Sequence, residues 1–154
     1  MDSKDIEVKD LQLVLAHDKI LKEPLVSNII ALVRKHTGHA IDELRVRSRK
    51  RHLVVARQLN MFFLKRHTTY SLEVIGSLFD RNHATVIHAE KTINDLIDTD
   101  KRINNLFMVI EDEVDTYKNK DKTTRYSVFQ ELVNNSITDE SKKKEWIEKF
   151  INAI

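Results

Sequence analysis

Residues 71–89 read Ser-Leu-Glu-Val-Ile-Gly-Ser-Leu-Phe-Asp-Arg-Asn-His-Ala-Thr-Val-Ile-His-Ala, two apolar patterns of helical period separated by a polar turn. Ser71 is a favourable N-cap for a first helix over residues 71–79. A second helix begins at or just after Asn82 and continues to about residue 97, with Val86 and Ile87 starting its buried side. Two helices joined by a three-residue turn predict a helix-turn-helix.

The first turn of the second helix carries side chains that can read DNA. In a helix-turn-helix, the second helix lies in the major groove with its first residues facing the base edges. Asparagine pairs with adenine, histidine donates to guanine or thymine acceptors, and small methyl groups contact the thymine methyl. An arginine or threonine beside the helix N-terminus can instead bind a phosphate. A purely structural helical hairpin is an equally good interpretation of this pattern alone. The residues concerned are Arg81, Asn82, His83, Ala84 and Thr85.

Gly76 stands inside the first of these helices. A glycine there costs about 1 kcal/mol of helix propensity relative to alanine. Such a glycine usually marks the close approach of another backbone segment. We therefore predict a backbone contact at Gly76.

A basic segment precedes the helix-turn-helix. Residues 34–66 contain ten Lys or Arg against two acids, whereas the whole chain has 26 against 24. The stretch from Arg45 to His52, Arg-Val-Arg-Ser-Arg-Lys-Arg-His, contains no acid. This asymmetry indicates a surface for a polyanion, with nucleic acid favoured over a merely solvated face.

The remaining patterns are also helical, which predicts an all-α protein. Pro24 and Gly38 bracket a helix over 24–36. Further helices are predicted at 11–21, 40–45 and 51–67. An apolar stripe over 103–117 predicts another, followed by a charged linker, Lys118–Thr124, and two shorter helices at 127–135 and 140–153.

Composition excludes several classes of protein. Two glycines cannot form a Walker loop or a G-x-G-x-x-G phosphate cradle, and the absence of cysteine excludes disulfides and thiolate zinc sites. The His36-x-x-His39 and His83/His88 pairs are weak metal motifs, because no His-Glu-x-x-His accompanies them. Neither a membrane span nor a signal peptide is recognisable. We therefore expect a cytoplasmic protein that is not an enzyme and takes no metal, nucleotide or other cofactor.

Three motifs resemble one known family. Arg57-Gln58-Leu59-x-Met61, Ser71-Leu72-x-x-Ile75-Gly76-x-x-Phe79 and Arg81-Asn82-His83-Ala84-Thr85-Val86-Ile87-His88-Ala89 are similar to the C-terminal DNA-binding domain, domain IV, of the bacterial replication initiator DnaA. The likeness runs from about Leu25 to Ile97. It implies an all-helical fold related to the Trp repressor helix-turn-helix, with additional C-terminal helices in this chain.

The resemblance also implies roles for single residues. Arg49 corresponds to an arginine that enters the minor groove, and Asn82–Thr85 correspond to an Asp-His-Thr-Thr motif that reads a duplex box in the major groove. Two of those four residues therefore differ from the family, and Asp80 stands alone where the family has two glycines. The predicted DNA contacts are Arg47, Arg49, Lys50, Arg51, Arg57, Ser71, Arg81, Asn82, His83, Ala84 and Thr85.

The organisation that follows is an N-terminal extension (1–23), a DNA-binding domain (24–98) and a C-terminal helical extension (99–154). We expect a free-standing module without the family's ATPase, from a bacterium, its phage or a mobile element. It would bind double-stranded DNA sequence-specifically and regulate replication or transcription at initiator-like sites. Two uses stay open for residues 100–154: completing the core, or docking a second copy or another protein through Trp146, Ile147, Phe150 and Ile154. The alternative function is a helical interaction or dimerisation module with only non-specific DNA affinity.

Overall fold

The computed structural model describes residues 8–153, with side chains described from residue 11 onward, and every regular element in that range is an α-helix. The predictions that concern residues 1–7 and Ile154 fall outside the described residues. The helices are α1 (Val8–Leu21), α2 (Pro24–Thr37), α3 (Ile41–Arg45), α4 (Arg51–His67), α5 (Leu72–Ser77), α6 (His83–Thr99), α7 (Lys101–Ser136) and α8 (Glu140–Ala153). The all-α prediction is confirmed.

The chain divides into two compact units, the first ending at Glu111 and the second beginning at Asp112. The first unit is built around α4, which packs against α2 on one side and α6 on the other. The core of this unit comes from one apolar face of each helix. Its fully buried side chains include Val26, Ile29, Val33, Leu59, Phe63, Ile75, Phe79, Val86 and Ile93.

The ends of α2 and α4 agree with the sequence prediction. Pro24 occupies the first turn of α2. Gly38 ends that helix in the left-handed conformation (φ 80°), and its N–H donates to the Arg34 carbonyl at 2.7 Å. Helix α4 covers residues 51–67 as predicted. The limits of α2 were predictable because Pro and Gly determine local backbone geometry whatever surrounds them.

Helices α5 and α6 form the predicted helix-turn-helix. The Ser71 hydroxyl accepts a hydrogen bond from the Val74 N–H, which confirms Ser71 as the N-cap of α5. Helix α5 ends at Ser77, two residues before the predicted end, so the turn covers residues 78–82 and is longer than the three residues predicted. Helix α6 begins at His83, as predicted. A Cβ atom on Gly76 would lie 2.7 Å from the carbonyl oxygen of Arg81 and 2.9 Å from that of Asn82. The predicted backbone approach at Gly76 is therefore confirmed.

Asp80 is the one non-glycine residue with positive φ (54°) among the described residues. The left-handed conformation costs an L-residue roughly 1–2 kcal/mol, and glycine pays none of this cost. We expect Asp80→Gly to raise the free energy of unfolding by about 0.5–1 kcal/mol, because relief of strain exceeds the added entropy of the unfolded chain. Urea titration would measure this gain. Asp80→Ala is the matched control; equal stabilisation by alanine would show that the carboxylate, and not the backbone, limits stability.

The predicted buried face of α6 is partly wrong. The sequence predicts Ile87 on the buried side of α6, but in the structure Ile87 is 49 % exposed. The buried positions Val86, Ala89 and Ile93 define the inner face, and Ile87 lies about 100° around the helix from Val86.

The charged linker at residues 118–124 does not exist, because α7 continues through it to Ser136. That stretch contains no glycine or proline that would end a helix. Its side chains support the helix instead. The Thr123 and Thr124 hydroxyls donate to carbonyls one turn back at 2.9 and 3.0 Å, and Asp121 pairs with Arg125 at 3.1 Å. Charge was therefore a poor signal for a linker.

The second unit is a helical hairpin formed by the remainder of α7 and α8. The Phe129 and Phe150 rings stack with their centroids 4.3 Å apart, and Tyr126 contacts Phe150 at 6.3 Å. Helix α8 has no buried residue. Throughout residues 8–153, no helix combines the length and the hydropathy that crossing a lipid bilayer requires.

Candidate nucleic-acid interface

The N-terminus of α6 is organised by Asn82. Its backbone is extended, and its Oδ1 accepts hydrogen bonds from the backbone N–H and the hydroxyl of Thr85, both at 3.0 Å. Asn82 is therefore an N-cap, and its Nδ2 group remains free to donate. The cap leaves other N–H groups of the first turn directed outward, at the positive end of a 17-residue helix.

The exposed surface of the first two turns consists of His83, Ala84, Ile87 and His88, with Thr85 half-buried beside them. The His88 Nε2 lies 3.4 Å from the Thr92 hydroxyl. This face combines hydrogen-bonding and apolar groups, the mixture that base edges require.

The segment between α3 and α4, residues 46–50, forms an exposed loop. We call it the basic loop; it includes Arg47, Arg49 and Lys50, and Arg51 follows it at the start of α4. Within the described part of the chain, none of these four cations forms an ion pair. They therefore present unneutralised positive charge.

Three further arginines do not point freely into solvent. The Arg57 Nε donates to the Leu44 carbonyl at 2.6 Å, and its Nη2 donates to the Val46 carbonyl at 3.0 Å. Arg57 is only 6 % exposed, and burial, with a further contribution from Arg81, lowers the pKa of its guanidinium. Sequence analysis predicts Arg57 as a DNA contact, whereas in the structure its guanidinium is largely buried and donates to two backbone carbonyls.

Arg81 and Arg45 connect the same loop to the helix-turn-helix. Arg81 Nη2 donates to the Val46 carbonyl at 3.1 Å, and its Nη1 reaches the Arg45 and Phe79 carbonyls at 3.3 and 3.0 Å. In the opposite direction, Arg45 Nε donates to the Leu78 carbonyl at 2.9 Å. We call Arg45, Arg57 and Arg81 the arginine clamp.

The basic loop and the start of α6 border one groove of about 1010 Å³. It collects six of the residues predicted from sequence: Arg47, Arg49, Arg57, Arg81, Asn82 and Thr85. Arg51 lines a smaller neighbouring depression of about 370 Å³. Lys50, His83 and Ala84 are exposed but line neither cavity, and Ser71 caps α5.

Sequence reasoning missed six of the residues that line this groove: Ser48, Val54, Gln58, Met61, Asp80 and His88. Gln58 was visible in the Arg57-Gln58 motif, and His88 lies one helical turn after Thr85. The sequence also contains His36-x-x-His39 as a weak metal motif. Within the described residues, His36 and His39 belong to no group of three or more metal-ligating side chains.

Comparison with known proteins identifies this region. Residues 26–93 match the family described as the bacterial dnaA protein helix-turn-helix. The chain is 45 % identical over 84 residues to the chromosomal replication initiator protein DnaA of Flavobacterium psychrophilum, covering 54 % of this chain and 18 % of that protein. With DnaA of Chloroflexus aurantiacus it shares 37 % over 87 residues, covering 56 % of this chain and 18 % of the relative.

A third relative extends the match. DnaA of Thermus thermophilus is 31 % identical over 109 residues, covering 70 % of this chain and 24 % of that protein. The chain thus matches about a fifth of the length of these initiators. The matched family and the observed α5–turn–α6 geometry agree. Residues 26–93 are therefore a helix-turn-helix domain similar to that of the bacterial DnaA proteins.

Proposed function

We propose that this protein binds double-stranded DNA sequence-specifically through the helix-turn-helix domain. The first turn of α6 would enter the major groove, with His83, Ala84 and Thr85 facing the bases, while Arg49 enters the neighbouring minor groove. Arg47, Lys50 and Arg51 would contact phosphates. The observation that carries this proposal is the groove in which unpaired loop cations and the start of α6 meet.

The biological role we propose is regulation of replication or transcription at sites resembling those of the initiator. Support comes from the DnaA relatives, all of them bacterial. We place this role in the bacterial cytoplasm, in a protein that comes from a bacterium, its phage or a mobile element. The similarity lies in the helix-turn-helix domain, and we propose no catalytic activity, metal or nucleotide cofactor for it.

Selection of bound duplexes from a random library tests sequence specificity, and a salt titration on the selected duplex tests the electrostatic part. If about five cations reach phosphates, log K should fall against log[salt] with a slope of about −4 to −5. A charge-matched single strand is the control. Failure to enrich any sequence, or a flat salt response, would overturn the proposal.

The helical hairpin supports a second role, association with another copy of the chain. Trp146 is 50 % exposed, Leu132 59 % and Val128 53 %, and α8 buries none of its described side chains. Two antiparallel helices alone rarely bury enough apolar surface to be stable. We propose that two hairpins pair and so bring two DNA-binding domains together.

Sedimentation equilibrium tests this pairing. We expect a dimer at micromolar concentration that Trp146→Glu and Leu132→Glu convert to a monomer. Glu148→Lys, a charge change about 200° around the same helix from Trp146, is the control. A monomer at all concentrations in the unmodified chain would contradict the pairing.

A further inference from the structure

The arginine clamp lies between two DNA-facing elements and joins them. The basic loop carries Arg47 and Arg49, and the turn before α6 carries the N-cap Asn82. The two are more than 30 residues apart in the chain, yet side-chain hydrogen bonds connect them in both directions: Arg45 to the Leu78 carbonyl, and Arg81 to the Arg45 and Val46 carbonyls.

The Val46 carbonyl is the central acceptor of this network. It receives Arg81 Nη2 at 3.1 Å, Arg57 Nη2 at 3.0 Å and the Ser48 backbone N–H at 3.0 Å. The loop has no regular secondary structure of its own. The Val46 carbonyl is therefore oriented by guanidinium groups from α4 and from the turn between α5 and α6. At the other end of the loop, the Lys50 carbonyl accepts the first hydrogen bonds of α4, and the Lys50 N–H donates to the Ser48 hydroxyl at 3.3 Å.

A guanidinium suits this task better than an ammonium. Arginine presents five N–H donors in a rigid plane, whereas lysine offers one compact charge on a flexible stem. Arg81 uses two of its nitrogens to reach carbonyls on both sides of the junction. A residue that only neutralised a phosphate would not need this bidentate geometry.

We infer that Arg81 is a positioning residue: with Arg45 and Arg57 it fixes the basic loop relative to the first turn of α6, and so sets how the two elements engage one duplex together. This inference rests on the proposed function, because it assigns Arg81 an indirect role in DNA binding. Arg81 acts on DNA through the loop cations that it holds in place, Arg49 above all.

The deciding experiment is a double-mutant cycle on the full chain with Arg81→Lys and Arg49→Ala. Arg81→Lys keeps the positive charge and removes the planar guanidinium with its five donors. We expect it to weaken binding to the selected duplex by about tenfold, with little loss on random DNA. In the Arg49→Ala background the same change should have less than about a threefold effect, because the loop arginine is no longer there to be positioned. Additive losses would overturn the inference, since they would mean that Arg81 contacts DNA independently.

A measurement without DNA keeps the clamp testable by itself. We expect Arg81→Lys to accelerate amide hydrogen exchange at Ser48 and Lys50, the loop residues whose N–H groups donate to described acceptors, at least tenfold, while exchange in α2 and α7 stays unchanged. Arg102→Lys, at a side chain 94 % exposed and outside the groove, is the matched control. Unchanged exchange in the loop would overturn the inference.

If Arg81→Lys fails to fold, Arg45→Lys tests the same junction from its other side. Lack of selective binding by the unmodified chain would instead count against the proposed function, leaving the exchange result to decide the clamp.

Discussion

Gly76→Ala is expected to lower the free energy of unfolding by about 1–3 kcal/mol, although alanine normally favours a helix. The added Cβ would lie 2.7 Å from the Arg81 carbonyl oxygen and 2.9 Å from that of Asn82. Both are backbone atoms, so neither can rotate away as a side chain would. This steric overlap can be relieved only if the start of α6 moves away from α5. Urea unfolding measures the loss of stability.

The same substitution should impair DNA recognition beyond its effect on stability. Moving the start of α6 displaces Asn82 and Arg81 together. The Arg45 and Val46 carbonyls, which accept hydrogen bonds from Arg81, should move as well. We expect the preference of the selected duplex over random DNA to fall at least tenfold under conditions where the variant is folded.

Gly38→Ala is the matched control for Gly76→Ala. Gly38 has φ 80°, and a Cβ there would meet no atom within 4 Å. Strain at a left-handed position should cost about 1 kcal/mol without altering DNA preference. If Gly76→Ala were as stable as the unmodified chain, the close approach of the two helices would not be a feature of the folded protein.

The parts of the fold that could be predicted from sequence are those determined locally. Pro24, Gly38 and Ser71 each control backbone geometry within one helical turn, so the limits they mark agree with the structure. Gly76 was interpretable for a related reason, because an unfavourable residue inside a helix needs a compensating contact.

The arginines show why the site was harder to predict. Charge is visible in the sequence, and it predicts exposed Arg47 and buried Arg57 alike as DNA contacts. Arg57 and Arg81 each donate to backbone carbonyls 11 to 36 residues away, and no sequence pattern displays such contacts. Exposed Arg47 and buried Arg57 look alike in sequence and differ only after folding.

In the proposed interface, the first turn of α6 both caps the helix and reads bases, and single substitutions should separate the two roles. Asn82 holds the helix start, because its Oδ1 accepts two hydrogen bonds from Thr85. Bidentate pairing with adenine needs that same oxygen, so capping and bidentate base reading compete at this side chain. His83 is exposed, with no hydrogen bond or ion pair among the described residues.

We therefore expect Asn82→Ala to lower the free energy of unfolding by about 1 kcal/mol, as loss of an N-cap usually does. Asn82→Asp should keep the stability of the unmodified chain, because a carboxylate caps equally well and favours the positive end of the helix. His83→Ala should change stability by less than about 0.5 kcal/mol, as exposed substitutions do. Thermal and urea unfolding of the three variants compare these effects.

Substitutions that hardly change stability should nevertheless change DNA affinity or sequence preference. We expect His83→Ala to weaken binding to the selected duplex by about 1–3 kcal/mol and to change random-duplex affinity far less, because it removes a base contact and leaves the phosphate contacts intact. Ala84→Thr adds a methyl and a hydroxyl at an exposed position of the same turn, and a repeated selection should then return a different preferred sequence. If His83→Ala and Ala84→Thr both leave the selected sequence unchanged, α6 does not read bases, and specificity must come from the basic loop or from DNA shape.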